Sequence, residues 1–256
     1  MDRIYKELID GIPEELTVEG IGIGPTWIIV KSRCGCGVAS VYDEGAHPMG
    51  EAPEHEGKTL RELARLIDSP KLYEQGISMA AINTYYNQME YLQNLESQGK
   101  VTIDTTTNSF IKYGQMVGGR DVAFVGHFCG LERFMGDAGS VSILEKRPQP
   151  GDIPAEKCDE VIPGKDFVFM TGATLANNTA NHLLELCNIK DNTRAIFVGP
   201  TTTMSEVLFE HGAAELSGMV ITDAEEAFNA VIGGEHHRIF DTGQKLRVVK
   251  RSEGYK

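Results

Sequence analysis

In the second half of the chain, short apolar runs alternate with patterns of helical period, and this alternation restricts the possible folds more than any other feature. Strands are predicted at 121–126, 140–144, 166–171, 194–199 and 219–222, and helices at 109–118, 178–188, 203–211 and 223–232. Strands that alternate with helices pair in a mostly parallel sheet with right-handed crossovers. We therefore predict an α/β domain with a mostly parallel sheet in this half.

The first half has a different pattern. The stretch TVEGIGIGPTWIIVKS alternates apolar and polar residues and turns at Gly24-Pro25, which predicts a small antiparallel meander over residues 17–42. An amphipathic helix is expected before it, with Ile4, Leu8 and Ile9 on the apolar face. Two helical patterns follow, the second entered at Ser69-Pro70 and continuing to about residue 95. This half is predicted to be a small α+β domain.

The domain boundary is placed in the polar stretch ESQGKVTIDTTTNS, between residues 96 and 108, because its composition is more typical of a linker or a domain crossover than of core. We accordingly expect one domain over residues 1–100 and a second over residues 101–256. At the end of the chain, HHRIFDTGQKLRVVKRSEGYK predicts an edge hairpin that turns near Thr242-Gly243.

Charge and composition exclude several classes of partner. The 24 Lys and Arg against 37 Asp and Glu give a net charge of −13, and no basic run is interleaved with aromatic residues, so nucleic acid is not expected as a partner. No apolar run reaches the roughly 20 residues that span a bilayer, so no membrane is expected. Five dispersed cysteines favour a reducing cytoplasm. A small molecule is the expected partner, and a homodimer is one assembly open to the chain.

Polar or glycine-bearing segments follow the apolar strands of the second half. In an open α/β sheet, ligands bind in the crevice outside the carboxyl ends of the strands, so these segments are expected to meet around one ligand. The predicted ligand-binding residues at these ends are Gly126, Phe128, Thr171, Gly172, Thr174, Asn178, Gly199, Pro200, Thr201 and Thr202.

Two titratable residues at these strand ends are predicted to be catalytic. His127 directly follows the first strand, where an imidazole serves as a general base, as a metal ligand or merely as a loop hydrogen-bonding group. Glu145 lies 19 residues after Gly126, close to the spacing of about 20 at which dinucleotide-binding folds place an acid on ribose hydroxyls. A solvated strand-end carboxylate is the alternative. The first loop lacks the GxGxxG spacing, which argues against a nicotinamide dinucleotide.

Four asparagines and a threonine have structural interpretations, which compete with functional ones for the asparagines. Asn177 or Asn178 is predicted to cap the following helix, which would leave the other side chain available to a ligand. Asn83 and Asn87 are four residues apart on one helical face and are expected to contact either the other domain or a ligand. Thr203 is predicted to form a capping box with Glu206.

A metal site is a separate hypothesis. Its donors would come from Cys34-x-Cys36 together with His47 and His55, or from His236-His237. No second CxxC and no HxxxH accompanies them, so the sequence leaves the metal ligands undefined.

Five segments together resemble one protein family. These are GISMAAINTYYN at 76–87, VGHF at 125–128, the acidic residue Glu145, TGATLANNT at 171–179 and VGPTTTM at 198–204. With nearly the whole chain around them, they resemble the "putative heavy-metal chelation" family. The resemblance implies an enolase-N-terminal-like domain followed by a Rossmann-like domain similar in shape to methyltransferases, with a pocket between the two.

The resemblance also implies a function and a set of pocket residues. The implied activity is condensation or hydrolysis of a flavin-, pterin- or siderophore-like molecule. The implied pocket residues are His127, Glu145, Thr171, Asn178 and Thr201, with Asn83 from the first domain. The acid-Gly-x-Gly loop of methyltransferases is missing, so S-adenosylmethionine is not implied, and the cofactor stays unknown.

The sequence thus predicts a protein that binds or transforms a small polar metabolite in an interdomain cleft. The alternative is a metal or metallophore binder without catalytic activity. Whether the protein is an enzyme is left open.

Overall fold

The computed structural model of the protein describes residues 1–41, 47–128, 130, 134–190 and 192–251. The fold class predicted from the sequence is confirmed, since the described residues form one small antiparallel sheet and one larger, mostly parallel sheet with helices packed against them. Cys129 and residues 42–46, 131–133, 191 and 252–256 lie outside the described part.

The described residues of the first half form a meander and four α-helices. Its strands are β1 (Val18–Ile23), β2 (Trp27–Ser32), β3 (Gly35–Ser40) and β4 (Gly50–Glu51), and its helices are α1 (Arg3–Asp10), α2 (Leu60–Ala64), α3 (Leu72–Tyr86) and α4 (Met89–Ser97). The strands pair antiparallel in the order β3-β2-β1-β4. The amphipathic first helix buries Ile4, Leu8 and Ile9, as its pattern predicts.

The second half contributes the larger sheet. Its strands are β5 (Val101–Asp104), β6 (Asp121–Val125), β7 (Ser140–Glu145), β8 (Ile153–Pro154), β9 (Phe167–Thr171), β10 (Arg194–Val198), β11 (Ala213–Ile221) and β12 (Gly243–Lys250). Its helices are α5 (Ser109–Gly114), α6 (Cys158–Val161), α7 (Ala173–Ala176), α8 (Ala180–Cys187), α9 (Glu206–Glu210) and α10 (Ala224–Ile232). Within the described residues the strand order is β5-β12-β11-β10-β9-β6-β7-β8, and β12 alone runs against the others.

Two sequence predictions at the sheet edge are wrong. The stretch 96–108 is not only a linker, because Val101–Asp104 forms β5 and pairs with β12. Up to residue 251, where the described part of the chain end stops, there is no edge hairpin: β12 begins at Gly243 and lies between β11 and β5. Arg247 on β12 forms ion pairs with Glu215 on β11 and with Asp104 on β5, so charge as well as backbone pairing holds these strands together.

The order of the strands reverses between β6 and β9. From β6 the chain proceeds through β7 to β8 in one direction, and from β9 through β10 to β11 in the other. The carboxyl ends of two neighbouring parallel strands whose connections diverge leave a crevice, which is where ligands bind in open α/β sheets. The fold therefore places the candidate site beyond Val125 and Thr171.

The two halves share apolar packing. Trp27, Ile29 and Val38 of the small sheet pack in one cluster with Met219 and Ile221 of the larger sheet, and α10 lies against β1 and β2. Burying apolar side chains from both halves removes apolar surface from water, and this stabilises the contact between the halves. The relative position of the halves is consequently set by a continuous core. In the described part of the chain, no helix combines the length and the apolar character that crossing a membrane requires.

Candidate functional site

A cavity of about 350 Å³ lies at the point where the strand order reverses. Its walls come from the carboxyl ends of β6, β7 and β9, from the segment leading into α6, and from the start of α8. The lining residues with polar or titratable side chains are His127, Glu145, Lys146, Cys158, Thr171, Thr174, Asn177, Asn178, Thr179 and His182. All of its described lining residues belong to the span 125–183. The cavity therefore lies within the second half, whereas the sequence predicted a pocket between the halves.

The turn that opens the cavity depends on Gly126. Its φ is +97°, in the left-handed region that favours glycine, and a Cβ there would lie 2.8 Å from the Thr171 Cγ2 atom. The chain can thus leave β6 directly beside the end of β9. This turn places the backbone amide of His127 at the cavity wall.

Glu145 is held by two backbone amides. The N–H of His127 donates to its Oε2 atom at 3.0 Å, and the N–H of Arg147 donates to its Oε1 atom at 3.2 Å. Backbone donors fix a carboxylate more firmly than flexible side chains do, because little rotamer entropy is lost. A carboxylate oriented in this way accepts hydrogen bonds from ligand hydroxyl or N–H groups. The His127 imidazole is exposed and lines the same wall.

The opposite wall is formed by the segment between β9 and α8. Thr174 Oγ1 donates to the Thr171 carbonyl at 2.8 Å, which closes the turn after β9. Asn178 has a φ of 59°, a conformation that asparagine tolerates better than most residues, and its exposed amide faces the cavity region. Neither asparagine caps α8, contrary to the prediction, because Thr179 occupies the N-cap position.

Lys146 adds a positive charge to the cavity. Its Nζ atom lies 3.2 Å from the Asn177 side-chain oxygen in the amide orientation that also lets the Asn177 nitrogen donate to the Thr174 carbonyl and to Thr179 Oγ1. The lysine is exposed, so it can also approach an anionic ligand. The cavity thus presents a carboxylate, an ammonium group, amides and hydroxyls together.

A group of potential metal ligands lies at the side of the cavity. One ligand atom each from Cys158, Asp159 and His182 falls within 4.8 Å of the others, and the His182 Nε2 atom lies 2.9 Å from Asp159 Oδ1. Desolvation by burial raises the pKa of the Cys158 thiol, which makes it a poor free nucleophile at neutral pH. Sequence reasoning missed this group, because no ligand spacing connects His182 to Cys158.

Three predicted ligand residues lie instead in the seam between the halves. Asn83, Thr201 and Thr202 are fully or almost fully buried, and none of them lines the cavity. Asn83 Nδ2 donates to the carbonyls of Val38 and Thr201, and its Oδ1 atom accepts from Thr203 Oγ1 at 2.6 Å. Thr201 Oγ1 accepts from the backbone N–H of Ser40 at 2.9 Å. The side chains of Asn83 and Thr201, together with the Thr202 carbonyl that accepts from Asn87, therefore connect the two halves.

The remaining predicted residues are distributed over other parts of the fold. A Cβ on Gly172 would lie 2.4 Å from the Thr202 backbone nitrogen, so glycine is required there by close packing. Gly199 and Pro200 line a separate cavity of about 240 Å³. Phe128 packs edge-on against Phe110, with ring centroids 5.3 Å apart. The structure therefore brings together Gly126, His127, Glu145, Thr171, Thr174 and Asn178 of the predicted set.

The residues of the alternative metal hypothesis do not converge within the described part of the chain. Cys34 Sγ donates to the Thr84 carbonyl, whereas Cys36 packs in the cluster around Trp27, and burial raises the pKa of Cys36 to about 12. His55 lies 3.1 Å from Lys58 Nζ, and desolvation by burial lowers its pKa. The His236 ring stacks on Trp27. His47 Nε2 contacts the Gly24 carbonyl.

Solved structures with the same fold have been determined. A protein of unknown function from the DUF364 family of Desulfitobacterium hafniense DCB-2 is 34% identical, with a TM-score of 0.85 over 96% of this chain and 98% of that one. A second DUF364 protein of unknown function, from Pyrococcus horikoshii, has a TM-score of 0.73 over 97% of this chain and 98% of that one. At 17% identity it shows the fold alone.

Sequence comparison leads to the same family. An uncharacterized protein of Methanocaldococcus jannaschii is 26% identical over 180 residues, a match that spans 66% of this chain and 63% of that protein, which is less than two thirds of its length. Two family models match this chain, one over residues 110–250 and the other over residues 5–86, and both carry the description "putative heavy-metal chelation". The chain belongs to this "putative heavy-metal chelation" family, as the sequence motifs predicted.

Proposed function

We propose that this protein binds a small polar metabolite of one or two rings, pterin-like in size and hydrogen-bonding pattern, in the cavity between β6 and β9. The observation that carries the proposal is the position of the cavity at the reversal of strand order, where Glu145 is held by two backbone amides and faces a wall of amide and hydroxyl groups. Sites of this kind are the usual ligand sites of open α/β sheets.

The volume limits the ligand. Pockets for small molecules commonly measure about 300 to 1,000 Å³, and this cavity of about 350 Å³ is near the lower limit. A bicyclic ring with a short substituent is compatible with that space, whereas a dinucleotide is too large. The size therefore favours a pterin over a flavin mononucleotide with its third ring and phosphate.

The chemistry of the walls matches a heterocycle with both donors and acceptors. Glu145 would accept from an exocyclic amino group and a ring N–H, and the Asn178 amide would both donate and accept. Lys146 would bind a carboxylate or phosphate substituent. His127, exposed beside Glu145, would transfer the proton that a condensation or hydrolysis step requires.

The direct test is a fluorescence titration of the full chain with a pterin, with flavin mononucleotide and with 2,3-dihydroxybenzoate as a siderophore fragment. We expect the pterin to bind most tightly and to raise the melting temperature. Glu145→Gln should weaken pterin binding by roughly tenfold to a hundredfold, since it removes a hydrogen bond to a charged acceptor. Glu90→Gln, at an exposed position on α4, is the matched control and should leave the affinity unchanged.

Two results would contradict the proposal. One is the failure of all three probes to bind, and the other is pterin binding that Glu145→Gln leaves intact. If a turnover reaction is found, His127→Asn separates the two roles. It should preserve pterin affinity and abolish turnover, because the imidazole is assigned to proton transfer and not to binding.

A second function is favoured by the group Cys158, Asp159 and His182 together with the family description. In this alternative the protein binds a metal ion or its chelate without transforming it. The metal ligands would then be these three residues and not those around Cys34.

A further inference from the structure

We propose that Cys158, Asp159 and His182 form a site for one divalent transition-metal ion at the side of the cavity. Their ligand atoms lie within 4.8 Å of one another, and Cys158 and His182 also line the cavity. The ion site depends on these three side chains alone. The further step, in which the bound ion holds a chelating metabolite in the cavity, rests on the proposed function.

The separations are close to those that an ion requires. Bond lengths of about 2.0 to 2.3 Å in a tetrahedral zinc site place neighbouring ligand atoms about 3.3 to 3.6 Å apart. The His182 Nε2 to Asp159 Oδ1 distance of 2.9 Å must open slightly, and the sulfur, at most 4.8 Å from the other ligand atoms, must approach them by up to about 1.2 to 1.5 Å. Side-chain rotation can provide these shifts, since His182 and Asp159 are 53% and 63% exposed.

The backbone that carries the ligands is anchored. Cys158 and Asp159 are the first two residues of α6, and the residue after that helix, Ile162, is fully buried. His182 lies in the first turn of α8, directly before the buried Leu183. Two ligands from one helix and one from another thus meet between fixed elements, so only the side chains must reorient when an ion binds.

The kinds of ligand select a class of metal. A thiolate, an imidazole and a carboxylate suit borderline ions such as Zn²⁺, Co²⁺ and Ni²⁺, whereas Mg²⁺ and Ca²⁺ prefer oxygen ligands only. Three protein ligands leave a coordination position for an exogenous group, as in catalytic and substrate-binding zinc sites. Since Cys158 and His182 line the cavity, a catecholate or similar chelator bound there would be within reach of the ion.

A competing explanation treats Asp159 and His182 as an ordinary surface ion pair beside a half-buried thiol. Exposed pairs of this kind are common and contribute little to stability. This explanation predicts no stoichiometric ion and no sulfur ligand. The two explanations therefore differ in an optical property, because a thiolate bound to Co²⁺ produces a charge-transfer band in the near ultraviolet and carboxylates do not.

The test is a Co²⁺ titration of the reduced full chain without an affinity tag, followed by absorbance, with equilibrium dialysis against Zn²⁺ for stoichiometry. We expect one ion per chain and a near-ultraviolet band. Cys158→Ser should abolish the band, and His182→Asn should weaken the binding of Co²⁺ by roughly tenfold or more. Cys34→Ser, at another half-buried cysteine, is the matched control and should preserve the band.

Absence of the band in the native chain, or its persistence in Cys158→Ser, would overturn the proposal. His182→Asn changes an exposed side chain, so we expect this variant to fold and its affinity for Co²⁺ to be measurable. Glu145→Gln separates this proposal from the previous one, because it should weaken pterin binding and leave the Co²⁺ band intact. Failure of the pterin titration therefore does not decide the metal site, and failure of the Co²⁺ titration does not decide the pterin site.

Discussion

The Asn83 side-chain nitrogen donates to the Thr201 carbonyl at 3.0 Å and so connects α3 of the first half to the loop that follows β10 of the second. One helical turn later, Asn87 Nδ2 donates to the Thr202 carbonyl at 2.9 Å, and Asn87 Oδ1 accepts from the Met204 backbone N–H. Two amides on one helical face thus bind the backbone of residues 201–204 in the adjacent half. The conformation of this loop is set by the first half of the chain.

Asn83→Ala should lower the free energy of unfolding by about 2 to 4 kcal/mol. The substitution leaves two buried carbonyls and the Thr203 hydroxyl without this partner, and each unsatisfied group costs about 1 to 3 kcal/mol before relaxation. Urea denaturation followed by circular dichroism measures the loss. Asn94→Ala, at an exposed position of α4, should change stability by less than about 0.5 kcal/mol, and equal losses for the two variants would show that the seam contacts are not stabilising.

Gly126→Ala should be more destabilising than an alanine at another glycine of positive φ. Gly126 and Gly151 have φ values of +97° and +102°, so each substitution strains the backbone by about 1 to 3 kcal/mol. Only at Gly126 does the new Cβ also approach a stiff β-branched neighbour, at 2.8 Å from the Thr171 Cγ2 atom, whereas nothing lies within 4 Å of it at Gly151. Thermal denaturation of the two variants should show the larger loss for Gly126→Ala, and a larger loss for Gly151→Ala would refute this reasoning.

Arg247→Met should lower the free energy of unfolding by about 3 to 5 kcal/mol, because it leaves the carboxylate of Glu215 buried without its counter-charge. The double variant Arg247→Met with Glu215→Leu should recover much of that loss, since an apolar pair of similar volume avoids the uncompensated charge. For comparison, Lys71→Met in the exposed Lys71–Glu74 pair should have an effect below about 1 kcal/mol. Chemical denaturation of the variants measures these differences, and a double variant less stable than Arg247→Met would be inconsistent with this account.

The contact between Glu7 of α1 and His211 after α9 should make stability depend on pH. The His211 hydrogen bond at 2.7 Å, with that of Arg3, holds the pKa of the Glu7 carboxyl below its usual range. A carboxyl whose pKa is lowered by folding contributes stability above the unfolded value of about 4.3, and this is lost as the pH falls through the lower native value. Wild type should therefore exceed Glu7→Gln in stability above about pH 5, and the two should converge in acid.

Urea midpoints of both proteins between pH 3 and pH 7 measure this convergence. In a His211→Gln background, the loss of stability caused by Glu7→Gln should be smaller above about pH 5, because the principal hydrogen bond is already missing. A stability difference that stays constant from pH 7 to pH 3 would mean that Glu7 acts through packing and not through its charge.

The fold class, and the set of strand ends around the cavity, follow from local patterns in the chain. Apolar runs such as VAFVG and FVFMT are short, rich in Val and Phe and bounded by glycine or polar residues, which favours strands and marks their carboxyl ends. Because parallel strands present these ends at one edge, His127, Glu145 and Thr171 could be predicted to lie together without knowledge of the strand order. The family, too, could be identified from motifs of contiguous residues.

Local patterns do not reveal which polar groups line the cavity and which form hydrogen bonds within the chain, because both depend on contacts between distant segments. Thr203 was predicted to cap a helix, but its hydroxyl donates to Asn83, which lies 120 positions away in sequence, and Ser205 caps α9 instead. Cys158 and His182 meet although no spacing connects them. The periodicity of a sequence reflects only the few residues around each position. The hydrogen-bond partner of a side chain, or the ligand it shares with others, depends instead on which distant segment packs against that side chain. That packing is fixed by the core common to both halves.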